Sequence, residues 1–350
     1  MHTFTLPTMM KIGNHILDDL LYSSGALNRD DKVLFILDEM IDKLYGDRVM
    51  EMLLGITAGV KKNHVYKGSL RESFLMSYYI VNRELTAVVA MGGGKVLDVA
   101  KYAAYMSKVK FISIPTAISN DGVASPIAVL KCDKAAVKSL PCKIPDYIFV
   151  DLEFIKKAPK QLIKAGLGDM LSNMTALKDW RLAEERGKEK VDDFAYLISN
   201  TAFRAVLDYE NKDMEDDNFL IQLAESIVLS GLAMNMAGSS RPCSGGEHLI
   251  SHAIDRDKKD KSTLHGIQVG LASLIISYLY GDSIDVQIKY LKTFGLPTTF
   301  EELGLSYSDY LDVMRNASST RPGRYTILDE IDYDEKNLRR IYEDVFVNRP

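Results

Sequence analysis

Three histidines are concentrated in one short part of the chain. The sequence contains only six histidines, and His248, His252 and His265 are three of them. His248 and His252 are four positions apart, so a helix would place both on one face, and His265 opens the next helical pattern. Two imidazoles at neighbouring helix ends could bind a divalent metal ion, which needs a further oxygen or nitrogen ligand. Asp169, which we expect at a helix start, could provide it, although a lone helical histidine more often has a structural role.

A run of three glycines could bring backbone amides close to a phosphate group. Gly92, Gly93 and Gly94 follow a short apolar segment and precede a helical pattern. Glycines let a ligand approach the backbone, and the first N–H groups of a helix favour a pyrophosphate. The spacing differs from the G-x-G-x-x-G pattern of dinucleotide-binding loops, so a tight turn is the alternative. The position between a strand and a helix favours an anion-binding site.

A polar segment follows the next predicted strand. Residues 115–126 include three hydroxyl side chains (Thr116, Ser119 and Ser125) and the carboxylate of Asp121. Ligands of open parallel sheets bind at the carboxyl ends of the strands, which is where this segment begins. A connecting loop with a turn at Asn-Asp-Gly is the alternative, and the nearby glycine run favours a functional role.

Two charged residues outside these motifs could distinguish between ligands. Arg241 follows two serines and could hold a phosphate group through charge-assisted hydrogen bonds, with a solvent-exposed turn as the alternative. Asp38 ends the first predicted strand, where a carboxylate could bond ribose hydroxyls and repel a 2′-phosphate. If the ligand is a nicotinamide dinucleotide, this position predicts a preference for NAD over NADP, and helix capping is the alternative role of Asp38.

Short β-rich runs alternate with amphipathic patterns in the first part of the chain, whereas helical patterns dominate after about residue 155. The alternation is typical of a parallel sheet covered by helices on both faces. We predict an α/β domain over residues 1–154, an all-helical domain over residues 155–350, and a ligand site in the cleft between them. The predicted strands are Val33–Leu37, Ala87–Met91, Phe111–Ile114, Ile127–Leu130 and Tyr147–Val150. The predicted helices are Val96–Met106, Gln161–Leu182, Val191–Tyr209, Asn218–Met236, Leu264–Tyr280 and Ile284–Phe294.

The composition is that of an ordinary globular protein. The chain has 350 residues, of which 47% are apolar, and a formal net charge of −5. A net negative chain without a basic run argues against nucleic acid or an anionic membrane as the partner. The sequence contains no uninterrupted apolar stretch of about 18 residues, so it predicts no membrane span. The three cysteines lack metal-site spacing, which suggests reduced thiols and a cytoplasmic protein.

The order of these motifs resembles a known superfamily. Gly-Gly-Gly-Lys-x-x-Asp, a Pro-Thr-Ala loop with an internal Asp, Gly-Asp, Gly-x-x-His-x-x-x-His and His-Gly follow one another as in the iron-containing alcohol dehydrogenase and dehydroquinate synthase-like superfamily. Within it, the chain is similar to the sn-glycerol-1-phosphate dehydrogenases at Ser119–Pro126, Gly168–Asn173, Thr175–Trp180 and Ser239–His248. The resemblance implies a Rossmann-like α/β N-terminal domain and an all-α C-terminal domain, which together form a dehydroquinate synthase-like fold.

The resemblance also implies roles for individual residues. Asp169, His248 and His265 would bind one divalent ion, usually zinc, although such a set can also accept iron or nickel. Asp121 and His252 would contact the substrate together with Asp169. His252, or a water that it orients, would deliver the proton. Contacts with NAD or NADP would carry over to Gly94, Lys95, Asp98, Thr116, Ser119 and Ser125.

The reaction implied by the resemblance is the reversible reduction of dihydroxyacetone phosphate to sn-glycerol 1-phosphate by NAD(P)H, with the metal ion as a Lewis acid. Glycerol dehydrogenase, which acts on glycerol and dihydroxyacetone, is the main alternative, and Arg241 is the feature that separates the two. A lyase of the dehydroquinate synthase type and a catalytically silent nucleotide-binding protein are further alternatives. Asn120 and Gly246 depart from the histidine and serine common in the family, which bears mainly on the substrate. The apolar helices of the second half suggest a homo-oligomer.

Overall fold

The computed structural model describes residues 4–17, 24–132 and 137–348. Two compact units divide the chain, Met1–Pro159 and Lys160–Pro350. The expected domain boundary after residue 154 falls inside a short helix, Leu152–Lys157, which belongs to the first unit.

The first unit is built on a six-stranded parallel sheet. The strands of this unit are β1 (Met9–Gly13), β2 (Lys32–Leu37), β3 (Gly59–His64), β4 (Ala87–Gly92), β5 (Lys110–Pro115), β6 (Ile127–Lys131), β7 (Val137–Pro141) and β8 (Tyr147–Asp151). Six of them pair in the order β1-β8-β5-β4-β2-β3, and every pairing in this sheet is parallel. The inner strands are nearly continuous runs of buried apolar residues, as expected when helices cover both faces.

Helices follow the strands of this unit in turn. They are α1 (Asp47–Ile56), α2 (Leu70–Asn82), α3 (Gly94–Ser107) and α4 (Leu152–Lys157), and α1 is preceded by short helical turns at Glu39–Ile41 and Asp42–Gly46. The start of α2 is fixed by a capping box, because Ser69 and Glu72 each bond the backbone N–H of the other.

Four predicted strands are confirmed as β2, β4, β5 and β8. The prediction was wrong in placing Ile127–Leu130 among the parallel strands, because β6 pairs with β7 in a separate antiparallel ribbon. Buried and exposed residues alternate along β6, which is typical of a ribbon with one covered face. The sequence analysis missed β1, β3 and β7, and β3 in particular carries lysines and an asparagine.

The order of the strands places a topological switch point between β2 and β4. The chain goes from β2 to β3 on one side and then crosses to β4 on the other side of β2. Ligands of open parallel sheets bind outside the carboxyl ends of strands at such a point. Asp38 follows the end of β2, and the glycine run begins where β4 ends.

The second unit contains helices and no strand among its described residues, as predicted. Its principal helices are α5 (Lys160–Glu185), α6 (Asp193–Leu207), α7 (Asp217–Ala237), α8 (Gly246–Asp257), α9 (His265–Leu279), α10 (Asp285–Thr293), α11 (Tyr307–Ala317) and α12 (Glu335–Tyr342). The sequence analysis did not include α11 or α12. Long buried stretches of α5, α7 and α9 form the centre of this unit.

One described helix, α7, is long and apolar enough to cross a bilayer. Of its most apolar window, 72% is buried inside the protein, which is typical of a core helix. The described residues therefore include no clear membrane span.

Candidate functional site

The second unit brings Asp169, His248 and His265 together. One oxygen or nitrogen atom from each of these side chains lies within 4.8 Å of the other two. Nε2 of His265 is 4.0 Å from Oδ1 of Asp169, and the ring centroids of His248 and His265 are 4.8 Å apart. A carboxylate and two imidazoles form a common donor set for zinc and related divalent ions.

The two imidazoles are held in an orientation and a protonation state that suit a metal ion. Nδ1 of His248 is 2.9 Å from Oε1 of Glu247, and Nδ1 of His265 is 2.9 Å from Oγ of Ser251. Because Nδ1 of each ring is occupied, Nε2 is left for a ligand. Burial lowers the pKa of both imidazoles well below the usual value, and the other histidines of the cluster lower it further. Both rings are therefore neutral near pH 7, as metal ligation requires.

Glycines allow the helices that carry Asp169 and His265 to approach closely. A Cβ added at Gly168 would lie 2.1 Å from the carbonyl oxygen of Gly266, and one added at Gly266 would lie 1.9 Å from that of Ala165. Backbone-to-backbone contact between α5 and α9 is possible only because these Cβ atoms are absent. The expectation that Asp169 stands at a helix start was wrong, since α5 begins at Lys160 and Asp169 lies in its buried interior.

His252 belongs to the same cluster without being one of the three converging donors. The centroid of its ring is 6.4 Å from that of His248 and 5.9 Å from that of His265. Burial lowers the pKa of His252, Asp255 opposes this shift, and Arg321 and Arg324 add to it. His252 is therefore placed beside the three donors with an uncharged ring near pH 7.

Two fully buried carboxylates, which the sequence analysis did not assign to the site, support the start of α8. Glu247 accepts hydrogen bonds from the backbone N–H of Gly245 at 2.6 Å and from Thr175 Oγ1 at 2.8 Å. Asp179 accepts from the backbone N–H of Gly246 at 2.6 Å and from the hydroxyl of Tyr280 at 2.7 Å. Burial raises the pKa of each carboxyl group. The position of an acidic residue directly before a candidate metal-binding histidine is the signal that could have identified Glu247.

The glycine at position 246, where serine is common in the family, has a steric explanation. A Cβ added at Gly246 would lie 2.8 Å from Cδ1 of Ile276 and 3.2 Å from Oδ2 of Asp179. A serine would therefore require the side chains beneath α8 to move.

In the first unit, the glycine run joins β4 to the start of α3. Gly93 is the N-cap residue of α3 and makes no side-chain capping bond, and a Cβ added there would meet no atom within 4 Å. The backbone N–H of Thr116 donates to the carbonyl oxygen of Gly92 at 3.0 Å, so the polar loop after β5 starts beside the glycine run. Open space above an uncapped helix N-terminus fits the pyrophosphate of a dinucleotide.

Asp98 and Lys101 connect α3 to the polar loop. Oδ2 of Asp98 accepts a hydrogen bond from the backbone N–H of Val129 at 3.1 Å, and its Oδ1 lies 3.3 Å from Nζ of Lys101. Burial raises the pKa of Asp98. The fully buried ammonium of Lys101, which the sequence analysis missed, donates to the carbonyl oxygens of Gly122, Ser125 and Ile127. These bonds hold the loop against the helix, and a contact between Asp98 and a cofactor stays a prediction.

The remaining residues of the two loops differ in exposure. Lys95 is exposed and its Nζ is 3.5 Å from the carbonyl oxygen of Tyr66, whereas Ser125 is buried. Ser119 and Asp121 are half-buried, and Asp121 opens a short helical turn. Asn120, at the position of the other departure from the family pattern, caps this turn through a 2.9 Å bond from the N–H of Gly122.

Asp38 caps the helical turn that follows β2. Its Oδ1 accepts hydrogen bonds from the backbone N–H groups of Met40 at 3.0 Å and Ile41 at 2.9 Å. The structure therefore gives Asp38 the capping role that was the alternative interpretation, at the carboxyl end of a strand beside the switch point. Its contact with a ribose stays a prediction.

Arg241 is not a solvent-exposed turn residue, and its guanidinium is already engaged. The side chain is 1% exposed, and Nε and Nη2 donate to the two carboxylate oxygens of Glu189 at 2.8 and 2.5 Å. Nη1 donates to the carbonyl oxygen of Tyr325 at 2.7 Å. A bidentate ion pair of this kind occupies the paired N–H donors that a phosphate would need. Arg241 therefore anchors its loop, and its expected role in binding phosphate loses its geometric basis.

Two other arginines stand near the histidine cluster, and the sequence analysis missed both. Arg321 and Arg324 flank a Pro-Gly pair, and each donates a hydrogen bond to Oγ of Ser240. The charges of both arginines contribute to the lowered pKa of His248 and of His252. The Arg-Pro-Gly-Arg sequence is a turn signal carrying two cations, and it could have drawn attention to them.

Comparisons with known proteins agree on the class. A family model described as iron-containing alcohol dehydrogenase matches residues 13–159. A probable glycerol dehydrogenase from Sinorhizobium meliloti 1021 has a TM-score of 0.77 at 19% identity, covering 99% of this chain and 98% of its own. A glycerol dehydrogenase from Schizosaccharomyces pombe has a TM-score of 0.80 at 18% identity, covering 98% of this chain and 90% of its own. Identities at this level show the fold alone, and the family model relates the first unit to the iron-containing alcohol dehydrogenases.

Sequence relatives are more specific. A glycerol-1-phosphate dehydrogenase of Thermofilum pendens, named for NAD(P)+, is 42% identical over 253 residues, which are 72% of this chain and 73% of that protein. A protein of the same name from Pyrococcus abyssi is 34% identical over 333 residues, 94% of each chain. The chain belongs to the glycerol-1-phosphate dehydrogenase family.

Proposed function

We propose that this protein catalyses the reversible, NAD(P)H-dependent reduction of dihydroxyacetone phosphate to sn-glycerol 1-phosphate. The observation that carries the proposal is the convergence of Asp169, His248 and His265 in a chain with glycerol-1-phosphate dehydrogenase relatives. A glycerol dehydrogenase activity on unphosphorylated dihydroxyacetone is the second candidate, and the two similar glycerol dehydrogenase structures share the fold with this chain.

Asp169, His248 and His265 fit a divalent metal ion. The pairings at Nδ1 and the lowered pKa values leave two neutral imidazoles with Nε2 available beside a buried carboxylate. When bound, the ion would act as a Lewis acid toward the substrate carbonyl. We propose zinc as the native ion because the set of one carboxylate and two imidazoles suits it, with iron and nickel as alternatives.

His252 is proposed to move the proton that the product hydroxyl requires. Because its ring is neutral near pH 7, it would act as a relay, giving a proton from one nitrogen while the other takes one from water. Asp121 is proposed to contact the substrate. The buried carboxyl group of Glu247 would keep the ring of His248 in one orientation during the proton transfer.

The first unit is proposed to bind the dinucleotide, whose nicotinamide supplies the hydride. The pyrophosphate would lie over Gly92, Gly93 and Gly94 at the start of α3, where a Cβ added at Gly93 would meet no atom within 4 Å. Neighbouring contacts are proposed for Lys95, Asp98, Thr116, Ser119 and Ser125. Asp38 is proposed to select NAD over NADP by repelling a 2′-phosphate.

A cytoplasmic location and a homo-oligomeric state are also proposed. Three free cysteines support the location, since disulfides are rare in that compartment. The apolar helices α7 and α9 that first suggested an oligomer are buried within the second unit. The exposed side chains of Phe74, Tyr78 and Val81 on α2 provide better support for a contact between subunits.

The decisive experiment is an NADH oxidation assay on the metal-supplemented protein, with dihydroxyacetone phosphate and dihydroxyacetone tested side by side. We expect faster NADH consumption with the phosphorylated substrate and a product that an sn-glycerol-3-phosphate dehydrogenase does not oxidise. Turnover of dihydroxyacetone alone would favour a glycerol dehydrogenase. Substrate conversion without net NADH consumption would favour a lyase that reduces and reoxidises its cofactor.

A further inference from the structure

Arg321 and Arg324 are held side by side by a tight turn. The backbone N–H of Arg324 donates to the carbonyl oxygen of Arg321 at 3.2 Å, and Gly323 has a φ of +88°. Proline followed by glycine with positive φ is typical of a type II turn. The turn therefore brings two residues, three positions apart, onto one short stretch of backbone.

Ser240 links the two guanidinium groups. Nη1 of Arg321 and Nη2 of Arg324 lie 2.9 and 3.0 Å from Oγ of Ser240, and Nη1 of Arg324 also donates to the carbonyl oxygen of Ser244. A hydroxyl oxygen that accepts two N–H groups has used both lone pairs, so its own hydrogen points toward another acceptor. Three groups of donors therefore converge, and most N–H groups of the arginines have no acceptor within the described part of the chain.

The positive charge of this cluster is only partly offset by the carboxylates nearby, Glu189 and Glu247. Glu189 pairs with Arg241, whereas neither Arg321 nor Arg324 forms an ion pair with any described carboxylate. Burial, together with the charges of Arg321 and Arg241, lowers the pKa of Arg324 to about 9, and the charges of Glu189 and Glu247 oppose the shift. Two adjacent cations, one of them 9% exposed, are unfavourable without an anion.

The cluster is next to the proposed metal ligands. Ser244, whose carbonyl oxygen accepts from Arg324, lies just before α8, and His248 stands in the first turn of that helix. The glycerol-1-phosphate dehydrogenase reaction requires a phosphate group attached close to the reacting carbonyl. An anion at the arginines would therefore place the rest of a small phosphorylated ketone within reach of the histidines.

We propose that Arg321, Arg324 and the hydroxyl of Ser240 bind the phosphate group of the substrate and thereby determine specificity for a phosphorylated over a free polyol. This inference rests on the proposed function. Arg241 acts behind them by holding its loop through Glu189 and Tyr325. Planar guanidinium groups recognise phosphate oxygens in a bidentate manner, and a serine hydroxyl supplies a further donor.

The first test compares substrate preference in the metal-loaded protein. The quantity measured is the ratio of kcat/KM for dihydroxyacetone phosphate to that for dihydroxyacetone, with NADH as the reductant. We expect Arg321→Gln to lower this ratio about 100-fold, because a charge-assisted bond to the phosphate is lost. Arg321→Lys should recover part of this ratio, because lysine restores the positive charge but not the bidentate guanidinium group. Arg315→Gln, which removes an exposed arginine of α11, is the matched control and should keep the wild-type ratio.

The second test measures binding rather than turnover. Inorganic phosphate should raise the Tm of the metal-loaded wild-type protein and of Arg315→Gln, and the shift should be much smaller for Arg321→Gln. Ser240→Ala, which removes one hydroxyl, provides an independent variant if Arg321→Gln does not fold. It should lower the substrate ratio about tenfold, the loss expected for a hydrogen bond to a charged group.

The outcomes separate the two proposals. A wild-type protein that does not reduce dihydroxyacetone phosphate would disprove the proposed function. A different outcome would disprove only the role of the arginine cluster. In that outcome the wild-type protein prefers the phosphorylated substrate, and Arg321→Gln or Ser240→Ala keeps both the wild-type ratio and the phosphate-induced Tm shift.

Discussion

Oε1 of Glu247 lies 2.9 Å from Nδ1 of its neighbour His248, and the side chain of Glu247 is fully buried while that of His248 is 11% exposed. When the Glu247 carboxylate accepts the Nδ1 proton, Nε2 is the nitrogen of His248 that stays available to the site completed by Asp169 and His265. The carboxylate itself is held by Thr175 and by the backbone of Gly245. One buried acid thus orients the ring of a proposed metal ligand.

Replacing Glu247 with glutamine should weaken metal binding without removing a proposed ligand. We expect the affinity for Zn²⁺ to fall about 10- to 100-fold, because the amide no longer provides a charged acceptor for His248. Competition with a chromogenic chelator measures this affinity directly. Glu225→Gln, an exposed substitution on α7, is the control. Wild-type affinity in Glu247→Gln would show that the contact does not support the metal site.

Alanine substitutions at two histidines should separate metal binding from proton transfer. His265→Ala should abolish both bound metal and NADH-dependent turnover, because it removes one of three donors. His252→Ala should retain metal and lose about 100-fold in turnover, the usual contribution of a general acid or base. Elemental analysis after dialysis gives the metal content, and His15→Ala, an exposed site, is the control. A metal-replete, fully active His265→Ala variant would disprove the ligand assignment.

Gly266→Ala should damage the metal site although the residue carries no ligand. The added Cβ would lie 1.9 Å from the carbonyl oxygen of Ala165, so α5 and α9 must separate and carry Asp169 away from His265. We expect a loss of about 1–3 kcal/mol in the free energy of unfolding, together with weaker metal binding. Urea unfolding and chelator competition measure the two effects.

Gly59→Ala is the matched control, because a Cβ at that position would meet no atom within 4 Å. If Gly266→Ala lowers stability but keeps wild-type metal affinity, the close helix contact serves the fold and not the site.

Asp38→Asn should relax the cofactor preference. The amide oxygen can still cap the turn at Met40 and Ile41, but the charge that repels a 2′-phosphate is gone. We expect the wild-type protein to have a higher kcat/KM with NADH than with NADPH. The kcat/KM of the variant with NADPH should rise about tenfold, which corresponds to the loss of one screened charge repulsion. A wild-type preference for NADPH would contradict the role given to Asp38.

Asp309 should make stability depend on pH in the acidic range. Hydrogen bonds from Lys261, the backbone of Ser306 and Lys258 hold the pKa of this carboxyl group well below its usual value of 3.8. Because the folded-state pKa is lowered, the stabilisation is fully present above about pH 3.8 and is lost as the pH falls toward the lower folded-state value. Asp309→Asn should therefore cost about 2 kcal/mol at pH 7 and much less near pH 2.

Urea unfolding at both pH values measures this effect, and Asp312→Asn serves as the control on the same helix. The carboxylate of Asp312 is 52% exposed, so its pair with Lys258 should contribute under about 1 kcal/mol. An unfolding free energy of Asp309→Asn that differs from wild type equally at both pH values would exclude the titration of Asp309 as the cause.

The strands that sequence patterns identified are those in which apolar side chains are needed on both faces. Val33–Leu37 and Ala87–Met91 are short apolar runs because helices cover both sides of β2 and β4. β3 escaped detection because its run of Lys61, Lys62 and Asn63 is typical of an edge strand, which needs only one apolar face. Ile127–Leu130 was misplaced for a related reason, since strand pattern alone does not specify the pairing partner.

The sequence by itself determined the chemistry of the candidate site: which donors exist, that His248 and His252 share a helical face, and that a glycine run follows a strand. Only the tertiary structure decided which groups meet. Asp169 reaches His265 because glycines let two helices that are distant in the sequence touch. Arg241 forms an ion pair with Glu189, whereas Arg321 and Arg324 form none with any carboxylate among the described residues. The type of a side chain is a local property of the sequence, whereas the partner of a charge depends on which distant segments pack against it.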